Sequence, residues 1–150
     1  MEKTISKNKP VNVDILMGHV FKLWCRNKKQ ILEEFDLTGS QFDILFAIYQ
    51  LSKNEKSIIQ VDLSEKTGID PMTTSTTLRN LEKKNLVIRS RDLVNTRVIN
   101  VFITEEGKKL LHLAISKMES VCKALYRNID QKNLENQLLK LSKELNKLNN

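Results

Sequence analysis

The sequence holds few of the residues that build metal sites, phosphate-binding loops or membrane spans. Its two cysteines are Cys25 and Cys122, and its two histidines are His19 and His112. They stand singly, without the Cys/His spacing of a zinc site. The four glycines are also scattered, which excludes a glycine-rich phosphate loop. No run approaches the roughly 20 apolar residues of a membrane helix. We therefore expect no metal, no cofactor, no membrane association and a cytoplasmic location.

The charge is strongly biased toward one sign. The 150 residues include 25 Lys and Arg against 18 Asp and Glu, for a formal net charge of +7. A basic chain favours polyanions such as nucleic acid as partners, although basic charge alone is also common in proteins that bind none. The length fits one domain with helical extensions.

The first third of the chain has helical periodicity. Large apolar residues at three- and four-residue spacing predict an amphipathic helix from about Asn12 to Glu34. Because this helix is apolar on more than one stripe, we expect one side to pack on its own core and the other on a second subunit. A second helix begins at Thr38, which with Gln41 forms a capping box. Its predicted buried face is Phe42, Leu45, Phe46 and Tyr49, with Leu51 as its furthest extent.

Two short helices follow a charged turn at 53–56. Ser57–Ile59 has the composition of a brief strand, and the first short helix runs from about Gln60 to Lys66 and stops at Gly68. The second starts almost at once, with Asp70 as its N-cap and Pro71 at its first position. Its predicted buried positions are Thr74, Leu78 and Leu81, and its end is predicted at Lys83 and Lys84, with Asn85 in the left-handed conformation.

The remaining pattern is a hairpin and then two helices. The period becomes extended from Leu86 to Ile103, with a turn at about 92–96, which predicts a β-hairpin with basic residues toward its tip. A new helix starts at Thr104, and the last helix is capped by Asp130 and carries a leucine seam. The fold class is therefore mainly α with a small β-hairpin.

Two short helices joined by a tight turn, followed by a basic hairpin, are typical of a winged helix-turn-helix that binds double-stranded DNA. The exposed side of the second helix offers small hydroxyl and amide groups that suit the major groove: Thr73, Ser75, Thr76 and Asn80. The hairpin offers groups for phosphates or the minor groove: Arg89, Arg91, Asn95, Thr96 and Arg97. Two other interpretations remain open, a solvated Thr/Ser-rich helix and a hairpin edge protected by charge.

Four segments carry a family resemblance. The runs 37–42, 81–89, 95–97 and 103–107 resemble, in the correct order, the MarR (multiple antibiotic resistance regulator) family, and the resemblance extends from about Val11 to Leu148. Two residues depart from the family pattern on the DNA-facing surface, because the family commonly has Asp where Asn95 stands and often Arg where Thr76 stands. Asn85 also replaces a common Gly, which its tolerance of the left-handed conformation makes benign.

The resemblance implies a homodimeric transcriptional regulator, most simply a repressor, acting on a pseudo-palindromic site. Residues 36–104 would form the DNA-binding lobe, and 11–35 together with 105–150 the dimerisation helices. The expected dimer contacts are Val13, Leu16, Met118, Leu134, Leu138, Leu141 and Leu145.

The resemblance also implies a response to a small aromatic or lipophilic effector or to thiol oxidation. Candidate effector contacts are Phe21, Trp24, Phe46 and Tyr49, which plain core packing also explains. Cys25 is the redox candidate because basic residues follow it. A protein-binding winged helix is the alternative class, although it needs no arginines around its wing. An enzyme is disfavoured because no nucleophile and base form a recognisable arrangement.

Overall fold

The computed structural model describes residues 12–54 and 57–149, which contain six helices and two strands. One compact unit extends up to Ala114 and a second begins at Ile115. The elements in chain order are α1 (Val13–Glu33), α2 (Gly39–Leu51), α3 (Gln60–Thr67), α4 (Pro71–Lys83), β1 (Val87–Arg91), β2 (Ile99–Ile103), α5 (Glu105–Leu125) and α6 (Gln131–Leu148). The mainly α fold with one small hairpin agrees with the sequence prediction.

Helix α2 lies at the centre of the first unit. The predicted capping box is present, since the Thr38 Oγ1 accepts from the Gln41 N–H at 3.2 Å and the Gln41 Oε1 accepts from the Thr38 N–H at 3.0 Å. The predicted single buried face is too narrow, because α1, α3, α4 and β2 all pack against this helix. Its buried residues are Gln41, Phe42, Ile44, Leu45, Ala47 and Ile48. Phe46 and Tyr49 are only half-buried.

Helices α3 and α4 form the predicted helix-turn-helix. Gly68 ends α3 with φ 71°, a left-handed conformation that favours glycine. The Asp70 carboxylate accepts from the Thr73 N–H at 2.9 Å and caps α4. Asn85 follows α4 with φ 59°, as predicted. The buried residues of α4 are Thr74, Thr77, Leu78 and Leu81, of which only Thr77 was not predicted.

The hairpin is antiparallel, with Arg89 of β1 opposite Val101 of β2. The brief strand expected at Ser57–Ile59 is reduced to a single bridge between Ile59 and Asn100. The Val101 N–H still donates to the Ile58 carbonyl at 2.8 Å. The segment that leads into α3 is therefore hydrogen-bonded to β2 of the hairpin, which forms the wing.

The start of α5 packs closely against Leu86, which lies between α4 and β1. The Thr104 hydroxyl accepts from the Gly107 N–H at 3.0 Å and caps α5. Gly107 lies so close to the backbone just before β1 that a Cβ atom on this residue would be 2.2 Å from the Leu86 carbonyl oxygen. This approach, rather than an unusual backbone conformation, explains the glycine.

Candidate nucleic-acid interface

The turn between α3 and α4 is held by hydroxyl groups. The Ile69 carbonyl accepts hydrogen bonds from the Ser64 hydroxyl of α3 at 2.6 Å and from the Thr74 hydroxyl of α4 at 3.3 Å. The Thr67 hydroxyl accepts from the Ile69 N–H at 3.2 Å. These bonds satisfy half-buried backbone groups in a turn of three residues and fix the angle between the two helices. The turn was predicted from the sequence, but these side-chain partners were not.

The outer face of α4 presents the predicted polar groups. Thr73, Thr76 and Asn80 are exposed, and Ser75 is half-buried. The Thr76 hydroxyl donates to the Met72 carbonyl at 3.1 Å, which leaves its lone pairs as acceptors. The Ser75 hydroxyl accepts from the Arg79 Nη2 at 3.1 Å, so the Arg79 guanidinium lies across this face. The face is small, polar and cationic, as a helix in the major groove requires.

Met72 is a candidate contact that was not predicted from the sequence. Its side chain is 80% exposed in the first turn of α4. In a helix-turn-helix the N-terminal residues of the second helix approach the base edges, where an apolar group contacts the thymine methyl. The available signal was a large apolar residue directly after the Asp70–Pro71 helix start.

Two of the three wing arginines are free for an external partner. Arg91 and Arg97 are exposed and form no ion pair within the described part of the chain. Arg89 is different, because its Nε and Nη2 donate to the Glu82 Oε2 at 3.0 and 2.8 Å. These hydrogen bonds from the Arg89 side chain lower the pKa of the Glu82 carboxyl. Arg89 therefore joins the wing to α4.

The wing loop, residues 92–98, is built around Asp92. Its Oδ1 accepts from the N–H groups of Asn95 and Val94, each at 2.9 Å, and its Oδ2 accepts from the Asn100 Nδ2 at 3.4 Å. The backbone bonds from Asn95 and Val94, followed by the Asn100 side chain, lower the pKa of Asp92. The Asn95 Oδ1 accepts from the Arg97 N–H at 3.2 Å, and Thr96 is exposed beside it. Asn95 thus shapes the loop from which Arg97 projects.

The predicted effector contacts do not share one environment. Phe21 is exposed, and Trp24, Phe46 and Tyr49 are half-buried. The Phe46 ring stacks with Phe42 at 6.0 Å between centroids, and the Tyr49 and His112 rings make a T-shaped contact at 5.1 Å between centroids. A cavity of about 280 Å³ does lie in this unit, but it is lined by other residues: Ile48, Ser52, Ile58, Val101, Phe102, Ile103 and Lys108. The effector site stays a prediction.

Cys25 is exposed, and both cysteines are free thiols. Of the basic residues that follow it, Lys28 binds the Asp43 carboxylate at 2.7 Å instead. The redox role also stays a prediction.

The residues predicted to contact a second subunit are accessible in the single chain. Val13 and Leu16 are exposed on α1, and Met118 is half-buried on α5. Helix α6 has no buried residue, and its exposed seam includes Leu134, Leu138, Leu141 and Leu145. Leu134 and Leu138 also line a groove of about 400 Å³ within the second unit.

Comparison with known proteins matches this arrangement. Residues 37–99 match the MarR family model. The crystal structure of the Staphylococcus aureus MepR–DNA complex superposes with a TM-score of 0.78 at 26% identity, over 93% of this chain and 99% of that chain. Residues 37–99 therefore carry a MarR-family domain. The winged helix and the resemblance to this family were both predicted correctly from the sequence.

Two curated relatives are named as transcriptional regulators. The Bacillus subtilis uncharacterized HTH-type transcriptional regulator YdcH is 27% identical over 111 residues, 74% of this chain and 76% of the relative. The Staphylococcus aureus HTH-type transcriptional regulator SarZ is 33% identical over 79 residues, 53% of this chain and 51% of the relative. Among the described residues, no helix has both the length and the apolar character to cross a membrane.

Proposed function

We propose that this chain is a DNA-binding transcriptional regulator of the MarR family that acts as a homodimer, with α4 in the major groove and the wing on the adjacent backbone and minor groove. The observation that carries the proposal is that the Glu82–Arg89 pair holds α4 and the hairpin in one fixed orientation. This pair joins the wing to α4, while Arg91 and Arg97 are exposed and form no ion pair with any residue in 12–54 or 57–149. A helix of small polar groups beside free guanidinium groups suits base edges and phosphates respectively.

The relatives support the same function. YdcH and SarZ are both named as transcriptional regulators, and MepR has been crystallised with DNA. The polar face of α4 supplies the chemistry that a DNA-binding relative needs. Phosphate contacts from the wing would hold the lobe in register, and groups on α4 would distinguish bases.

The dimer is supported by the apolar surface of α6. None of the residues of α6 is buried, its row of leucines is exposed, and large exposed apolar surfaces mark association sites. A symmetric partner would cover the same seam on both subunits. Two lobes would then address two half-sites related by a two-fold axis. Control by a small aromatic or lipophilic effector remains a prediction from the family resemblance.

Selection of bound sequences from a random duplex pool tests the proposal. We expect enrichment of an inverted repeat whose centres lie about one helical turn, or a multiple of it, apart. Absence of any enrichment at moderate salt would contradict the proposal and favour the winged helix as a protein-interaction module. A purified protein that is monomeric at micromolar concentration would contradict the two-half-site arrangement.

A further inference from the structure

The tip of the wing carries two adjacent apolar side chains that the fold leaves in solvent. Leu93 is 99% exposed and Val94 is 96% exposed, and no other large apolar side chain in residues 12–54 and 57–149 reaches these values. Hairpin tips ordinarily use Gly, Asn, Asp or Ser, whose backbone preferences suit turns. We therefore interpret the exposed Leu93–Val94 pair as a contact for a partner molecule.

The loop does not need these two side chains for its own structure. The Asp92 carboxylate and the Asn95 side chain organise it through backbone N–H groups, and the Asp92 N–H donates to the Val98 carbonyl at 3.0 Å. A polar residue at either position would make the same backbone bonds. The loop therefore does not need apolar side chains at Leu93 and Val94 in order to fold.

The charges around the tip indicate which partner it meets. Arg91 lies on one side and Arg97 on the other, and both are exposed. The one acid of the loop, Asp92, accepts hydrogen bonds from Val94, Asn95 and Asn100, so its carboxylate is engaged within the loop. An apolar tip between two cations matches the minor groove, where two rows of phosphates border a floor of sugars and base edges.

We propose that Leu93 and Val94 form an apolar wedge that enters the minor groove between phosphates contacted by Arg91 and Arg97 and partly unstacks one base step in each half-site. This inference rests on the proposed DNA-binding function and adds a contact to it. Proteins that bind the minor groove use apolar side chains in this way and kink the duplex. Pyrimidine–purine steps unstack most easily, so the wedge would select for a flexible step at a position that α4 does not contact.

The test compares the wild-type protein with the double variant L93A/V94A on the selected duplex. The matched control is Ile88→Ala, which removes an exposed apolar side chain from the same hairpin away from the tip. We expect the double variant to bind about tenfold more weakly than wild type with an unchanged salt slope, because no phosphate contact is lost. The control should bind within about twofold of wild type, and thermal melts of all three proteins should coincide.

A second measurement locates the wedge on the DNA. With 2-aminopurine placed at successive positions of the half-site, wild type should raise the fluorescence at one step, and L93A/V94A should not. Replacing that step with ApA should weaken wild type and leave the double variant nearly unchanged. Equal affinities of wild type and L93A/V94A, with no change in fluorescence, would overturn the wedge. The same result is expected if the tip binds a protein instead of DNA. Failure of wild type to bind any duplex would instead overturn the proposed function.

Discussion

The Arg89 guanidinium on β1 holds the Glu82 carboxylate of α4 through hydrogen bonds of 2.8 and 3.0 Å, and the Glu82 Oε1 also accepts from the Arg89 N–H at 3.3 Å. A charge-assisted, multiply bonded pair of this kind fixes orientation as well as distance. The helix proposed to contact bases and the hairpin proposed to contact phosphates are therefore positioned as one surface.

Glu82→Gln should weaken DNA binding several-fold with no change in salt slope, because it loosens the wing without removing a phosphate contact. The measurement is fluorescence anisotropy of a labelled selected duplex at several salt concentrations. Glu65→Gln, at an exposed position on α3, removes the same charge from the same lobe and serves as the control. A slope that rises by about one would mean that Arg89, once released, binds phosphate itself, as the sequence had suggested.

Acid should destabilise the first unit partly through Glu82. The bonds from Arg89 lower the pKa of Glu82 in the folded state, so the pair contributes its full stability above the unfolded-state value of about 4.3. That contribution is lost as the pH falls through the lower folded-state pKa. In urea unfolding between pH 7 and 3, Glu82→Gln should therefore show a shallower loss of stability than wild type. Parallel curves would show that the pair does not contribute.

Gly107→Ala should destabilise the protein by about 1–3 kcal/mol, as overpacking does. The new Cβ would meet the Leu86 carbonyl oxygen at 2.2 Å, and that oxygen belongs to backbone that must move. Gly39→Ala is the matched control, because no atom lies within 4 Å of its Cβ position and its φ is not left-handed. Chemical denaturation should show the loss at Gly107 only. Equal stabilities for the two variants would contradict the close approach.

Thr104→Val should cost about 1–2 kcal/mol of unfolding free energy, the usual loss on removing a helix cap. The Thr104 hydroxyl accepts from the Gly107 N–H and donates to the Asn85 carbonyl at 2.7 Å, so valine removes two bonds of one group. Thr104→Ser keeps the hydroxyl and should retain most of the stability. If serine were as damaging as valine, the methyl group rather than the hydroxyl would account for the effect.

Local signals allowed much of this fold to be predicted. The caps at Thr38 and Asp70 and the left-handed Asn85 depend on residues within a few positions, and each was found where the sequence placed it. The extra burial of Ile44 and Ile48 on α2 was not predicted. A pattern with one apolar face describes a helix covered on one side, whereas α2 is covered by several elements.

The interface was predictable in outline but not in its contacts. The exposed hydroxyls of Thr73 and Thr76 follow from helical periodicity. The ion pair between Arg89 and Glu82 depends on how β1 packs against α4, and the periodicity of the sequence does not determine that packing. Leu93 and Val94 lie in the turn predicted at about 92–96, but their nearly complete exposure was not predicted, because a turn position does not fix whether an apolar side chain folds back onto the hairpin.

The salt dependence of binding to the selected duplex tests the central claim most directly, with wild type and Arg97→Ala compared from about 50 to 200 mM salt. The account predicts that Arg97→Ala binds more weakly to every duplex and that its log–log slope is shallower by about one, for one lost phosphate contact. Identical affinities and slopes for the two proteins would contradict a DNA-binding wing.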